Sequence, residues 1–267
     1  MRLLLIVLLF ISFNLQAETT LKILSTTSTR DSGLYEYLLP FFEKKYNIKT
    51  YIIATGTGHA INNAKRCNGD ILITHAKQYE IDFVKKGYGL IRSDLMYNEF
   101  IIVGPSSDPL NLNEEKYVLE AFDKIQKSGF KFISRGDKSG THMSELQIWA
   151  NLNKFNPHNQ KKSWYLESGQ GMGATLNIAV GLGAYAYSDR ATWLKFKNKQ
   201  HHRIVFAGDK MMKNQYGIIK INPEYCKNIN HANSAIFYSW ITSPEGQSLI
   251  GNFKMHNESL FTPNYYE

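Results

Sequence analysis

Short apolar runs alternate with longer amphipathic segments along most of the chain. Runs such as LKILS (21–25), KTYIIAT (49–55) and DILITHA (70–76) have the length and composition of buried strands. The segments 31–46 and 77–87 carry apolar residues at helical spacing, and the second ends on a glycine. Strands that alternate with helices predict an open sheet with parallel pairing and helices on both faces.

The alternation continues through the second half of the chain. Further strands are predicted at 130–134, 164–168, 184–188, 203–208 and 216–222. Further helices are predicted at about 114–128, 139–153 and 172–182, from Asp189 onward, and over 231–252. One simple sheet does not accommodate so many strands and helices. The sequence therefore predicts an α/β protein with two lobes, each a sheet flanked by helices.

The domain boundaries follow from this two-lobe prediction. No low-complexity tract marks a flexible linker, so the joints are predicted to be strands that pass between the lobes, at 99–107 and 215–223. Lobe one then comprises residues 18–100 and a return segment, 217–267. Lobe two comprises residues 101–216.

Residues 1–17 have the pattern of a secretory signal peptide. One positive charge at Arg2 precedes an apolar run over 3–13, and the small residue Ala17 follows. The run is shorter than the roughly 20 residues that a membrane span requires. We therefore expect an exported mature chain from about Glu18. No cysteine follows the apolar run, so a lipid anchor is not expected.

Composition narrows the range of partners. The formal net charge is +8 over 267 residues, but the lysines and arginines are spread along the chain. A nucleic-acid footprint would need them clustered, so we expect a mild preference for anions and no nucleic-acid partner. Export permits a disulfide between the two cysteines, Cys67 and Cys226. The sequence alone leaves their pairing open.

Four polar or glycine-rich clusters each follow a predicted strand and precede a predicted helix. They are STTSTRDSG (25–33), TGTGHA (55–60), SRGDKSGTH (134–142) and ESGQGMGAT (167–175). In open α/β sheets this is the carboxyl edge of the strands, where ligands bind. Helix N-termini and glycine-rich backbone at that edge favour anions. An N-cap or a glycine turn explains each cluster taken singly, but four at one edge predict an anion site.

Arg135 is the most informative residue of these clusters. It ends a predicted strand, and Ser139, Gly140 and Thr141 follow at a helix start, so the guanidinium and the helix amides could close on one tetrahedral oxyanion. The alternative is an arginine that pairs on the surface with Asp137 or Glu145.

The motif R-x-D-x-S-G-T is the anion-cradling motif of periplasmic phosphate-binding proteins, and Arg135, Asp137, Ser139, Gly140 and Thr141 carry it here. More closely, the chain resembles the tungstate-binding (TupA) proteins of ABC importers. The matching stretches are TTST (26–29), TGTG (55–58), GDILITHA (69–76), MYNEFIIVGP (96–105), SRGDKSGTH (134–142), WYLESGQGMGATLNIA (164–179) and SPEGQSLIG (243–251). They run through nearly the whole mature chain. The first motif usually reads T-T-T-S in the family, whereas Ser25 precedes Thr26, Thr27 and Ser28 here.

This resemblance implies a type II periplasmic binding protein, with two α/β lobes joined by two crossover strands and an oxyanion held between them. It implies no catalytic residues and a ligand-binding set drawn from both lobes. That set is Thr26, Thr27, Ser28, Thr57, Arg135, Ser139, Gly140, Thr141, Gly171, Met172 and Gly173. The implied ligand is tungstate, bound as an oxyanion rather than as a coordinated metal cation, with no cofactor.

The resemblance also implies where the protein acts and with what. It would be a monomer in the periplasm that delivers its anion to the permease of an ABC transporter in the inner membrane. The alternative is a binding module that reports to a membrane sensor and not to an importer. Both cysteines would fall in lobe one, so a disulfide between them becomes possible.

The identity of the anion stays partly open. Phosphate at neutral pH usually carries a proton and needs an acceptor, and phosphate-binding proteins place an aspartate where this chain has His75. That difference favours a fully deprotonated dianion: tungstate, molybdate or sulfate. Tungstate and molybdate have nearly the same radius and charge, so the preference for tungstate rests on the resemblance, and molybdate, sulfate and phosphate remain alternatives.

An exported serine hydrolase is the rival class. Ser139 and His142 lie three residues apart at a predicted helix start and share a face, so they could form a nucleophile and base. The sequence has no G-x-S-x-G elbow, no H-E-x-x-H motif and no His/Cys set spaced for a metal. We therefore expect a binding protein and not an enzyme.

Overall fold

A computed structural model describes residues 19–152, 156–157, 162–255 and 257–265. The predicted signal peptide, 1–17, lies outside the described residues. The strands are β1 Thr19–Thr26, β2 Ile48–Thr55, β3 Ile71–Thr74, β4 Gly89–Pro105, β5 Phe132–Ser134, β6 Tyr165–Glu167, β7 Tyr185–Asp189, β8 His202–Phe206, β9 Lys213–Ile221, β10 Lys254–Met255, β11 Glu258–Ser259 and β12 Thr262–Pro263. The helices are α1 Thr27–Asp31, α2 Leu34–Tyr46, α3 Thr57–Lys65, α4 Lys77–Lys85, α5 Val118–Ser128, α6 Gly140–Asn151, α7 Met172–Leu182, α8 Arg190–Lys195, α9 His231–Thr242 and α10 Pro244–Asn252.

Eight strands form the main path of the sheet, in the order β2-β1-β3-β9-β4-β7-β5-β6. The outer strands pair in parallel, β1 with β2 and β3, and β5 with β6 and β7. The central strands are antiparallel: β9 to β3, β4 to β9, and β7 to β4. The expectation of parallel pairing was therefore wrong at the centre of the sheet. Strand β4 runs from the first half of the sheet into the second, and β9 runs back beside it. These two neighbouring strands are therefore antiparallel.

Strand β4 belongs to both halves of the sheet. Its residues from Gly89 to Glu99 pair with β9, and from Phe100 onward they pair with β7 and β8. The second part overlaps the predicted joint at 99–107, and β9 overlaps the joint at 215–223. The exact lobe boundaries, 18–100, 101–216 and 217–267, stay a prediction.

Buried residues pack on both faces of each half of the sheet. Ile23 and Leu24 are adjacent in β1, yet they belong to different hydrophobic clusters. Ile102 and Val103 of β4 are divided in the same way between two further clusters. Since successive side chains of a strand point to opposite faces, helices cover both faces of the sheet. The predicted fold class, α/β with helices flanking the sheet, is confirmed.

Two predicted helices are each divided in the structure. The segment 31–46 contains the end of α1 and all of α2, separated at Gly33, which has φ +87°. The predicted helix 231–252 breaks at Ser243, whose hydroxyl accepts the amide of Gly246 and caps α10. Pro244 follows at the first position of α10, where the missing N–H costs nothing.

The question of the cysteines is answered by the structure. Cys67 follows α3 and Cys226 follows β9, and the two form a disulfide with their Cα atoms 5.5 Å apart. In the part of the chain that the structure describes, no helix is both long and apolar enough to cross a membrane.

Candidate functional site

A cavity of about 270 Å³ lies at the carboxyl ends of β1 and β5. We call it the small cavity. Its lining residues are Thr27, Ser28, Arg30, Asp31, Arg135, Gly171, Met172, Gly173, Ala174 and Thr192. Six of the eleven predicted ligand-binding residues are among them, and they come from sequence clusters more than a hundred residues apart.

The first side of the small cavity is built by the turn from β1 into α1. Thr26 ends β1 and caps α1, because its hydroxyl accepts the backbone amide of Thr29 at 3.4 Å. Thr26 is itself buried, with Oγ1 2.7 Å from Thr29 Oγ1 and 3.2 Å from Ser28 Oγ. Thr26 thus holds the turn, whereas Thr27 and Ser28 face the cavity.

Arg135 supplies the charge on the opposite side. The residue is 7% exposed, and its Nη2 donates to Asp137 Oδ2 at 2.5 Å. Its Nε is buried and has no hydrogen-bond partner among the described residues. The other oxygen of Asp137 accepts the amide of Ser139 at 3.1 Å, so one carboxylate ties the arginine to the start of α6. The guanidinium is therefore fixed in direction and keeps an unused donor.

The N-terminus of α7 completes the cavity. Gly171 is the N-cap residue, and Thr175 is the first residue whose amide bonds back along the helix, to Gly171 O at 3.0 Å. The amides of Met172, Gly173 and Ala174 precede it and have no intrahelical acceptor. Three backbone donors and the positive end of an eleven-residue helix therefore lie at the same cavity as Arg135.

Two buried carboxyl groups, those of Glu145 and Asp189, hold the end of β5 and the start of α8 in place through hydrogen bonds. Glu145 accepts hydrogen bonds from Ser134 Oγ at 2.7 Å, Trp149 Nε1 at 3.0 Å and Tyr165 OH at 2.8 Å, and so holds the strand end that carries Arg135. Burial raises the pKa of Glu145 to about 7, against the opposing effect of those hydrogen bonds. Asp189 caps α8 and accepts both the amide and the hydroxyl of Thr192. Burial raises the pKa of Asp189 as well.

His75 lies beside the small cavity. Its Nε2 is 3.1 Å from Ser28 Oγ, and its Nδ1 is 2.9 Å from Asn214 Oδ1. Burial lowers the pKa of His75 to about 4; the Arg135 charge also lowers it, and the hydrogen bond with Asn214 opposes both. A Cβ placed on Gly140 would lie 2.5 Å from His75 Cε1, so the ring packs against the start of α6 where only glycine fits.

A larger cavity of about 570 Å³ is lined in part by Thr57 and Gly140. Much of its lining is apolar and includes Ile61, Met143 and Leu146. Apolar walls do not replace the hydration of a doubly charged anion, so the small cavity is the better candidate site despite its smaller volume.

Neither cavity is lined by the remaining predicted residues, which are Thr26, Ser139 and Thr141. Ser139 caps α6, and Thr141 is 1% exposed with a hydroxyl that has no partner in the described chain.

The geometry does not pair Ser139 with the imidazole of His142. The Ser139 hydroxyl accepts the backbone amide of His142 at 3.3 Å, as a helix cap. His142 Nδ1 accepts the amide of Lys138 at 3.0 Å, and His142 Nε2 lies 3.8 Å from Glu167 Oε1. The serine hydrolase alternative therefore finds no support.

Sequence reasoning missed four of the lining residues. Arg30, Asp31 and Ala174 lie inside the polar clusters already singled out, so the clusters marked their neighbourhood but not their role. Thr192 lies beyond those clusters and had no signal of its own. Across the described residues, no three or more His, Cys, Asp and Glu side chains are grouped to hold a metal ion.

Comparison with known proteins agrees with the fold. Residues 16–245 match the model of the PBP superfamily domain. The tungstate-binding protein TupA of Peptoclostridium acidaminophilum is 42% identical over 253 residues, which cover 93% of this chain and 87% of that protein.

Two solved structures are also similar. The tungstate-binding protein TupA from Desulfovibrio alaskensis G20 has a TM-score of 0.84 and 38% identity, with coverage of 93% of this chain and all of that chain. The crystal structure of the tungstate ABC transporter from Geobacter sulfurreducens has a TM-score of 0.81 and 40% identity, with coverage of 89% of this chain and all of that chain. The chain therefore belongs to the TupA family within the PBP superfamily.

Proposed function

We propose that this protein captures tungstate in the small cavity and delivers it to the permease of an ABC importer. One observation carries the proposal: Arg135, the amides at the start of α7 and the hydroxyls of Thr27 and Ser28 converge on a single cavity. The choice of tungstate among tetrahedral oxyanions follows the ligand named for relatives that are about 40% identical.

The donors of the small cavity suit a buried dianion. Each hydrogen bond from a donor to a charged oxyanion contributes about 1.5 to 3 kcal/mol. Several such bonds together offset the cost of removing two negative charges from water. The Ser139 hydroxyl caps α6 by accepting the backbone amide of His142, and the relatives are named as binding proteins. We therefore propose binding without chemical change, and no cofactor.

The predicted ligand-binding residues divide into two groups in this proposal. Thr27, Ser28, Arg135 and residues 171–173 contact the anion directly. Thr26 and Ser139 position those donors through their helix caps. Direct contact by Thr57, Gly140 and Thr141 stays a prediction.

Export and the partner complete the proposal. Residues 1–17 would direct the chain to the periplasm, where a monomer with two lobes would present the bound anion to a permease in the inner membrane. Permease and ATPase genes beside this one would support the importer, whereas a histidine kinase gene in their place would favour the sensor.

The decisive experiment is a comparison of oxyanions. The mature chain, from residue 18 onward, is titrated by calorimetry with tungstate, molybdate, sulfate and phosphate, and native mass spectrometry counts the bound anions. We expect one tungstate per chain and weaker binding of sulfate and phosphate. Absence of tungstate binding, or tighter binding of phosphate, would contradict the proposal.

A further inference from the structure

Four buried or half-buried side chains form a continuous hydrogen-bonded row that ends at the small cavity. Ser28 Oγ lies 3.1 Å from His75 Nε2, and His75 Nδ1 lies 2.9 Å from Asn214 Oδ1. Asn214 Nδ2 in turn donates to Asn98 Oδ1 at 2.7 Å and to Tyr216 OH at 3.3 Å. We call Ser28, His75, Asn214 and Asn98 the polar row.

The direction of the hydrogen bonds in the polar row is determined by Asn214. Because its amide nitrogen faces Asn98 and Tyr216, its oxygen faces His75, and His75 Nδ1 must carry the proton between them. The low pKa of His75, about 4, leaves the ring neutral at pH 7, with a single N–H. His75 Nε2 is therefore an acceptor, and the Ser28 hydroxyl donates its proton to it.

This direction conflicts with capture of a fully deprotonated anion. A hydroxyl has one proton, and Ser28 directs that proton at His75 and away from the small cavity that Ser28 lines. What Ser28 offers to the cavity is a lone pair. An oxyanion without a proton meets a lone pair with repulsion, so the row cannot keep this direction in the complex.

We propose that the polar row reverses when the small cavity takes up its dianion, so that His75 Nε2 donates to Ser28 and the Ser28 hydroxyl donates to the anion. The inference rests on the proposed function and assigns His75 the role of a positioning residue that acts through Ser28.

Each member of the row is able to reverse without moving its backbone. Imidazole can move its single proton from Nδ1 to Nε2, and each asparagine can exchange its oxygen and nitrogen by rotating the amide. Asn98 Nδ2 is buried and makes no hydrogen bond within the described chain. In the reversed row this nitrogen donates to Asn214 Oδ1, and Asn98 Oδ1 takes the position without a partner. The row therefore contains the same number of hydrogen bonds in both directions, and the unsatisfied atom is an acceptor in place of a donor.

The packing around His75 keeps the ring in place during the reversal. The ring of Tyr216 lies 4.9 Å from it, centroid to centroid, and Gly140 closes the other side. His75 therefore changes its proton and not its position.

The state of the His75 nitrogens can be observed directly by long-range ¹H–¹⁵N correlation NMR of the histidine side chains. Spectra of the ¹⁵N-labelled mature chain at pH 7.5 are compared before and after saturation with sodium tungstate, and the spectrum of His75→Gln identifies the His75 signals. We expect Nε2 to be unprotonated in the free protein and protonated in the complex. An Nε2 that stays unprotonated at saturation would overturn the proposal.

A double-mutant cycle tests whether His75 acts through Ser28. His75→Phe keeps the volume and ring packing, and we expect it to weaken tungstate binding by about tenfold in the parent protein but by less than twofold in the Ser28→Ala background. His75→Gln retains an amide N–H for Ser28 and should restore affinity to within about threefold of the parent. Equal effects of His75→Phe in both backgrounds would contradict the proposal.

Calorimetry separates the failure of this inference from failure of the proposed function. Without tungstate binding to the parent protein there is no saturated complex, and the proposed function itself is then wrong. With saturation by calorimetry and an unprotonated Nε2 by NMR, the function stands and the reversal is wrong.

Discussion

Arg135 Nη2 lies 2.5 Å from Asp137 Oδ2, while Arg135 Nε has no hydrogen-bond partner among the described residues. The carboxylate therefore occupies one edge of the guanidinium and sets its direction, and Nε stays available as a donor in a residue that lines the small cavity. A buried donor without a partner costs free energy in the folded protein. An oxyanion that accepts from it removes that cost on binding.

Arg135 substitutions should weaken tungstate binding in a graded way. Arg135→Lys keeps the charge but lacks the planar fork that bonds Asp137 and the anion in two fixed directions, so we expect a loss of about tenfold. Arg135→Gln removes the charge as well, and we expect a loss of about a hundredfold. Calorimetry at pH 7.5 and fixed salt measures both. Arg66→Gln, at an exposed arginine after α3, makes the same charge change as a control. Affinity of Arg135→Gln within twofold of the parent would contradict the role of Arg135.

Glu145 should make stability depend on pH near neutrality. In the folded protein burial raises its pKa to about 7, whereas the unfolded chain loses that proton near the ordinary value of 4.5. The folded state thus binds more protons between these pH values, and the free energy of unfolding falls as the pH rises from about 4.5 to 7. Glu145→Gln cannot ionise, so its urea midpoint should change less over this range. The difference in the pH-dependent loss should be about 3 kcal/mol.

A matched variant distinguishes this effect from general acid sensitivity. Glu224→Gln removes an exposed carboxylate and should leave the slope of stability against pH as it is in the parent. If Glu145→Gln and the parent lose stability in parallel from pH 5 to 7.5, Glu145 is not the group responsible.

The predicted α/β alternation was correct where strands are short and apolar, as in β1 and β3, because their burial shows directly in the sequence. The first part of β4 was missed because it contains Arg92 and Asp94. Arg92 is 10% exposed and pairs with the fully buried Glu80, at 2.9 Å between Nε and Oε2. A buried ion pair between a strand and a helix gives no hydrophobic periodicity, so pattern reasoning does not find that strand.

The candidate site was predictable where polar clusters follow predicted strands, but not where a contact depends on the register of distant strands. Clusters such as 25–33 and 134–142 revealed strand ends, and the structure brings Ser28 and Arg135 to one cavity. The partnership of His75 with Asn214 spans 139 residues and depends on the antiparallel pairing of β3 with β9, where Thr74 faces Gly217. Nothing local in the sequence encodes that register.

The disulfide between Cys67 and Cys226 should stabilise the fold without affecting binding. It closes a loop across 159 positions of sequence, and loss of such a link restores conformational freedom to the unfolded chain. The double substitution Cys67→Ser/Cys226→Ser should lower the free energy of unfolding by about 2 to 5 kcal/mol, measured by urea denaturation. Tungstate affinity should stay within twofold of the parent, because Cys67 lies past the C-terminal end of α3, whereas ligand donors occupy the other edge of the sheet.

Reduction provides the control for the disulfide. The parent protein in excess reductant should unfold at the urea midpoint of the double variant, and the double variant should not respond to reductant. A parent protein whose midpoint is unchanged after verified reduction would contradict a stabilising role.

Lys195 should slow the release of the anion. Its Nζ donates to the backbone carbonyl of Asp31 at 2.6 Å, which connects α8 to α1 at the rim of the small cavity. Lys195→Met removes this hydrogen bond, and since Lys195 is exposed we expect the dissociation rate of tungstate to rise only about threefold. The association rate should not change, because the contact forms between protein groups and not with the arriving anion. Stopped-flow measurement of both rates tests this, with Lys197→Met as a control of equal charge change at an exposed neighbour. A slower association rate with an unchanged dissociation rate would mean that Lys195 attracts the anion from solution and does not retain it.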